Sequence, residues 1–401
     1  MKPTGFLNVV LSVVLVGLAS LFTPLAGASS QPQQLFSFAC QDKQLQQCPQ
    51  GAGPQVIVQA SDGNFYGAAA DGGSASLGAI FKLTPSGQFT LLFSFNGTNG
   101  HQPGATLVEA PDGSLWGTTL MGGKFGLGVI FRINKDGSGF RVAQSFPDTF
   151  PTAFYFGETL TVGKDGFLYA SSLGGGFFNQ GLCPYGCGTL FRIAPRTGAV
   201  RILHILNPTD GLRPSGLIQA SDGNFYGTTA NTVFRLTPAG QFQTLVTLPY
   251  YTYIDNTYGA AVGVIQASNG NLFGVLQNRQ VEPALYEVAL DGSGLQVFAG
   301  VSGLAFTDAV SSLLQTEDGT FWLTSYGASV GDPGSVAQLS SQDGSLLQNI
   351  PFDSNDGFEP MAPLIQGRDR NLYGTTQHGG VVSQGNPDGV VFGLSAGQDA
   401  R

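Results

Sequence analysis

Asp62-Gly63-Asn64-Phe65-Tyr66-Gly67 is a turn followed by an aromatic strand, and the chain repeats that phrase seven times. The other versions are Asp112-Gly113-Ser114-Leu115-Trp116-Gly117, Asp165-Gly166-Phe167-Leu168-Tyr169, Asp222-Gly223-Asn224-Phe225-Tyr226-Gly227, Asn269-Gly270-Asn271-Leu272-Phe273-Gly274, Asp318-Gly319-Thr320-Phe321-Trp322 and Asp369-Arg370-Asn371-Leu372-Tyr373-Gly374. Successive starts lie 50, 53, 57, 47, 49 and 51 residues apart. A near-constant spacing of about 50 residues marks stacked supersecondary units and suits the blades of a propeller.

The second unit shows how each blade is built. Ala105 to Ala110 reads as a strand ending at the Asp112-Gly113 turn, and Leu115 to Leu120 as its return. A glycine-rich connection, Gly122 to Gly128, leads to a third strand, Val129 to Ile133. The turn at Lys135-Asp136-Gly137 then sends the chain back as Phe140 to Phe146. Asp-Gly between alternating apolar runs is a strong hairpin signal, and no sustained 3.6-residue spacing spans the turns. Each unit is therefore a four-stranded antiparallel meander.

The ends complete the count. The seventh unit supplies three strands and then runs out, while residues 35–39 begin Leu35-Phe36-Ser37-Phe38, the letters of the fourth strand Leu92-Phe93-Ser94-Phe95. The expectation is an all-β, seven-bladed propeller over residues 29–401, with strand 35–39 completing the blade formed by residues 360–397. Such closure hides strand edges that would otherwise invite aggregation.

Phrases such as Leu217-Ile218-Gln219-Ala220-Ser221-Asp222-Gly223-Asn224-Phe225-Tyr226-Gly227 and Ala79-Ile80-Phe81-Lys82-Leu83-Thr84-Pro85-Ser86-Gly87 resemble the tandem GloVer repeats of secreted bacterial proteins. The resemblance extends over nearly all of the chain beyond residue 28 and is most specific in units one, two, four and seven. Units five and six depart from it, with Leu285-Tyr286-Glu287-Val288 and Val336-Ala337-Gln338-Leu339 in place of the aromatic-basic strand. The resemblance implies the repeat fold and export, and no particular activity.

Residues 1–28 read as a secretion signal: Lys2, an apolar run from Phe6 to Phe22, Pro24, and the small residues Ala26-Gly27-Ala28. A membrane span is the rival, but the run is short for about 20 spanning residues. No second apolar stretch follows, so the expectation is a secreted or periplasmic monomer without a membrane span. The formal net charge of -9 repels phosphate backbones and argues against nucleic acid as a partner. The four cysteines form two close pairs, Cys40 with Cys48 and Cys183 with Cys187, read as disulfide staples of exported loops. The rival is a metal knuckle at Cys183-Pro-Tyr-Gly-Cys187, which lacks a neighbouring His or a matching second pair.

Strand order separates two faces. Asp-Gly turns and Pro85-Ser86-Gly87-like turns lie on one face; the long, varied connections lie on the other. Irregular loops on a rigid scaffold are where function usually sits. Both cysteine pairs fall on that face, as does the loop carrying Tyr250, Tyr251, Tyr253, Asp255 and Tyr258. Tyrosine rings with hydroxyl rims suit stacking on sugars or covering a protein partner. Tyr155 and Tyr185 extend this candidate binding set, and packing between blades is the bland alternative.

Catalytic candidates are sparse. His101 and His378 are both read as lying in irregular-face loops, where either would act as base with Tyr155, Tyr185 or Tyr326 as acid in a polysaccharide lyase. Asp71, Asp148, Asp210 and Asp255 share that face with Glu282, Asp308, Asp332, Asp356, Glu359 and Asp388, and two of them 5 to 10 Å apart would suit glycoside cleavage. Asp210-Gly211, Asp356-Gly357 and Asn99-Gly100 recur at equivalent places, which favours loop capping. His204 lies in a fourth strand and reads as structural. The glycine pairs precede no helix, so they are not phosphate cradles, and no cofactor or metal is called for. Two readings stand: a propeller binding an extracellular glycan or protein, and a polysaccharide-active enzyme, with a purely structural envelope role as the third.

Overall fold

The computed structural model describes residues 31–41, 47–146, 156–179, 181–249, 261–278, 281–298, 301, 311–326, 332–353, 355–360, 362–382 and 386–396. The leader expected over residues 1–28 lies outside them. The described strands form seven four-stranded sheets, and every pairing is antiparallel. Blade one comprises Ala52–Gln59, Phe65–Asp71, Ala79–Leu83 and Phe89–Ser94. Blade seven takes Ile365–Gln366, Leu372–Thr376 and Asn386–Leu394 from one end of the chain and Gln33–Cys40 from the other. Gln33 pairs with Gly393 and Ser37 with Val390, so the ring closes as the sequence implies.

The first strands of successive blades face one another around the axis, and the fourth strands form the partly exposed rim. The apolar core is therefore not one mass. It consists of seven layers, each held between two neighbouring sheets. Tyr66, Ile80, Phe95 and Phe131 fill the layer between blades one and two. Leu35, Phe38, Ile57, Phe65 and Tyr373 fill the one where blade seven meets blade one.

The repeated phrase works as a small machine. Asp62 accepts the Asn64 amide at 3.1 Å, and Tyr66 Oη donates to its Oδ2 at 2.8 Å. The same hydroxyl bond recurs from Tyr169 to Asp165, Tyr226 to Asp222 and Tyr373 to Asp369. A buried tyrosine thus finds an acceptor four residues upstream, as a buried hydroxyl requires. The glycine that follows it has a steric purpose: a Cβ at Gly67 would overlap the Phe81 ring across the strand pair.

Two latches join the blades. On the regular face a glutamine donates to its own turn and accepts from the blade before it. Gln59 Nε2 donates to the Gly63 carbonyl, and its Oε1 accepts the Arg368 amide at 2.9 Å. Gln219, Gln266 and Gln315 repeat the device toward Lys164, Ser221 and Ser268, while Glu109, an acceptor only, keeps the accepting half, from the Ser61 amide. Between blades two and three both halves are missing together: Pro111 has no amide hydrogen and Val162 stands where the glutamine would be. On the irregular face, Pro54, Pro103, Pro214 and Pro360 each press on a glycine of the preceding blade, namely Gly389, Gly78, Gly188 and Gly334.

Candidate functional site

The irregular face carries two described features. The first is the connection from the second to the third strand of blade three. Cys183 and Cys187 are bonded to each other and buried beside Leu190 and Leu212. Backbone bonds from Cys187 to the Phe177 carbonyl and from Gly175 to the Tyr185 carbonyl, 2.9 and 2.8 Å, tie the loop down. Asn179 Oδ1 accepts the amides of Gly181 and Leu182. On this fastened backbone the large side chains face water: Phe177 is 47%, Phe178 56% and Tyr185 61% exposed. In blade two, Leu120 and Met121 at the end of the strand Leu115–Met121 and Phe125 on the connection that follows are exposed as well. Isolated exposed apolar residues need no explanation, but grouped ones mark binding sites.

The second feature joins blades seven, one and two. His378 follows strand Leu372–Thr376, and its Nδ1 lies 3.0 Å from Asp388 Oδ1. Its Nε2 lies 3.5 Å from Glu359 Oε2. With Asp388 ionised, Nδ1 is the donor and the ring is held with Nε2 turned to Glu359. Asp71, at the end of the second strand of blade one, is pushed above the usual carboxylate range, first by burial and then by the charge of Asp388. The same carboxylate feels His101 and His378, which act in the opposite direction. The two histidines singled out from sequence are therefore electrostatic neighbours of one aspartate. Cys40 and Cys48 are bonded beside this group, with Cys40 Sγ 3.6 Å from Asp388.

One expectation needs correction. His101 is not a loop residue: it opens the inner strand His101–Glu109, paired with Met121. The strand starts earlier than Ala105 because a register shift between Pro103 and Leu107 absorbs the proline, which cannot donate to the ladder. His204 is structural as expected, with Nε2 2.9 Å from Asp210 Oδ2 and its ring stacked on Phe242 at 4.0 Å. Asp210 also accepts from Asn207, and Asn99 caps Asn96, so these two recurrent residues cap loops.

Tyr250, Tyr251, Tyr253, Asp255 and Tyr258 lie outside the described residues, as do Asp148, Tyr155 and Asp308. Of the proposed tyrosine set, Tyr185 is the described member. Sequence reasoning missed Phe177 and Phe178, although Gly174-Gly175-Gly176-Phe177-Phe178 beside a cysteine pair was a visible signal. Both disulfides fit an oxidising compartment. Among the described residues no helix is long and apolar enough to cross a membrane.

Solved structures share the architecture. A catalytically inactive histidine-to-alanine variant of virginiamycin B lyase from Staphylococcus aureus, solved with quinupristin, is 16% identical with a TM-score of 0.59; the match covers 86% of this chain and 96% of that one. The periplasmic gluconolactonase of Pseudomonas aeruginosa is 14% identical with a TM-score of 0.54, covering 86% and 89%. The extracellular domain of a putative one component system from B. thetaiotaomicron is 12% identical with a TM-score of 0.59, covering 91% of this chain and 40% of that one. At such identities the likeness is one of fold, shared by lyase, lactonase and receptor propellers. No curated protein matches. The repeat itself decides the family: residues 27–229 match the Gloeobacter/Verrucomicrobia repeat, and the chain belongs to that family.

Proposed function

We propose that this chain is an exported propeller that binds an extracellular glycan on its irregular face, with the aromatic rings of the blade-three loop as the stacking platform. One observation carries the reading: Phe177, Phe178 and Tyr185 are exposed together on a loop whose backbone is cross-linked and hydrogen-bonded. A loop held this firmly loses little entropy when a ligand docks. Flat rings at its tip offer sugar rings an apolar surface at low ordering cost. Each ring would contribute about 1–2 kcal/mol from buried apolar area. The triple variant F177A/F178A/Y185A should therefore bind at least about 100-fold more weakly. Retention on an immobilised array of neutral oligosaccharides measures this. A wild-type protein that retains none of them, or a triple variant that retains them equally, refutes the glycan reading.

A second reading is favoured by the group around His378. A histidine held through Nδ1 by Asp388 is placed to take a proton from water at Nε2. Asp71, kept more readily protonated by burial and by Asp388, would return a proton to a departing oxygen. Three carboxylates in this sector disfavour an anionic uronate, so hydrolysis of a neutral glycoside suits it better than β-elimination. New reducing ends released from the same array sugars would favour this reading; their absence would leave the chain a binder.

A further inference from the structure

Four blades open with the same local pattern on the irregular face, a glycine followed two residues later by a residue that precedes proline. The stretches are Gly51-Ala52-Gly53-Pro54, Gly100-His101-Gln102-Pro103, Gly211-Leu212-Arg213-Pro214 and Gly357-Phe358-Glu359-Pro360. The prolines are the interblade latches described above. The residue before each proline has positive φ: 59° at Gly53, 51° at Gln102, 53° at Arg213 and 64° at Glu359. Side chains disfavour this region, and a following proline restricts its predecessor further. Glycine is the inexpensive solution, and blade one uses it.

Three blades instead hold a polar side chain at that strained position. Nothing in the backbone asks for it: Gln102, Arg213 and Glu359 each donate their amide to the preceding blade, to the carbonyls of Leu77, Cys187 and Pro333, as glycine also would. Among the described residues, neither the Gln102 amide nor the Arg213 guanidinium has a side-chain hydrogen-bond partner. Glu359 has only the 3.5 Å approach of His378. The equivalent position in blade one shows the room available. A Cβ built on Gly53 meets only the Gln377 carbonyl, at 3.9 Å. Strained residues that a scaffold does not need are held for a purpose at ligand sites.

We infer that Gln102, Arg213 and Glu359 form a reading ring at the irregular mouth of the channel, hydrogen-bonding the hydroxyl groups of a neutral, polyhydroxylated ligand. This deepens the glycan reading and rests on it. Amide, guanidinium and carboxylate are planar groups that each present polar atoms in pairs, and they match adjacent hydroxyls two at a time. A few fixed polar groups beside an apolar surface is the usual division of labour in a binding site. Variation of the residue at a constant backbone position gives the ring its selectivity, with Gly53 leaving a gap on the side of blade one.

The test replaces all three residues by glycine, the residue the backbone prefers. Q102G/R213G/E359G should melt at or above the temperature of the wild type while its retention on the neutral oligosaccharide array falls at least tenfold. Unchanged retention would make the three side chains bystanders and overturn the proposal. A lower melting temperature would assign them to stability and overturn it as well. If F177A/F178A/Y185A loses retention but the glycine variant keeps it, the ring fails and the glycan reading survives. A wild type that retains no sugar ends both.

Discussion

Asp62, in the turn before the strand Phe65–Asp71, and Asp71, at its end, lie nine residues apart, and their carboxyls are shifted in opposite directions. Burial acts upward on Asp62, but hydrogen bonds from Asn64 and Tyr66 outweigh it and hold the carboxyl below its ordinary 3.8. Asp222 is held down in the same way by Asn224 and Tyr226. The partner hydroxyls move up, those of Tyr169 and Tyr226 to about 12, by burial first and then by the facing carboxylate. Carboxyls held low stabilise the fold above pH 3.8, and that contribution disappears as pH falls through their lowered values. Asp71, raised by burial and Asp388, has the reverse sign: its ionisation opposes folding once pH rises above 3.8. D71N should therefore raise the melting temperature by a few degrees at pH 7 and leave it unchanged at pH 3, measured by circular dichroism. A rise at both values would point to packing instead of charge. From sequence, Asp-Gly was legible as a turn. That its carboxylate also serves a tyrosine four residues on was not read, although Asp-x-x-x-Tyr recurs at 62, 165, 222 and 369.

At the scale of the strand pair, each blade holds one bulky residue against one small one. Gly67 faces Phe81, Gly117 faces Phe131, Ala170 faces Phe191, Gly227 faces Phe234 and Gly374 faces Phe392. In blade six the sizes are exchanged, with Leu323 facing Ala337. The departure of unit six is thus a compensated swap and not a decayed repeat. Unit five has exchanged charge instead: Asn269 stands for the aspartate, Glu287 for the basic residue, and Glu287 accepts from Asn269 and Asn271 at 2.9 and 2.7 Å. Ala337→Phe alone should cost about 1–3 kcal/mol by overpacking against Leu323. Adding Leu323→Gly should recover much of it, a coupling that a double-mutant cycle in urea will read; additive costs would mean that the two sites do not share space. Period and strand type were legible because they are local. Compensation was not, since it depends on which residue lies opposite, and register is a property of two strands at once.

For the molecule as a whole, blade number and closure were legible from a missing fourth strand and an orphan bearing its letters. The site was legible only in part. His101, His378, Asp71, Glu359 and Asp388 were all named, but their convergence was hidden because the ring brings blades seven, one and two together from opposite ends of the chain. The strand Gln33–Cys40 buries Leu35, Phe38 and Cys40 against blade one and its own sheet. Deleting Leu35 to Phe38 should lower the melting temperature by ten degrees or more, on the order of several kcal/mol of lost burial, and raise light scattering from the exposed edge. Unchanged melting would contradict the pairing of the ends. The same pairing sets an order of events during synthesis. Gln33 must wait for Gly393, and at roughly 5–20 residues per second the interval is on the order of 20–70 s. A chain stopped before Asn386 would lack the strand on which Gln33–Cys40 docks, so the ring would stay open at an unpaired edge.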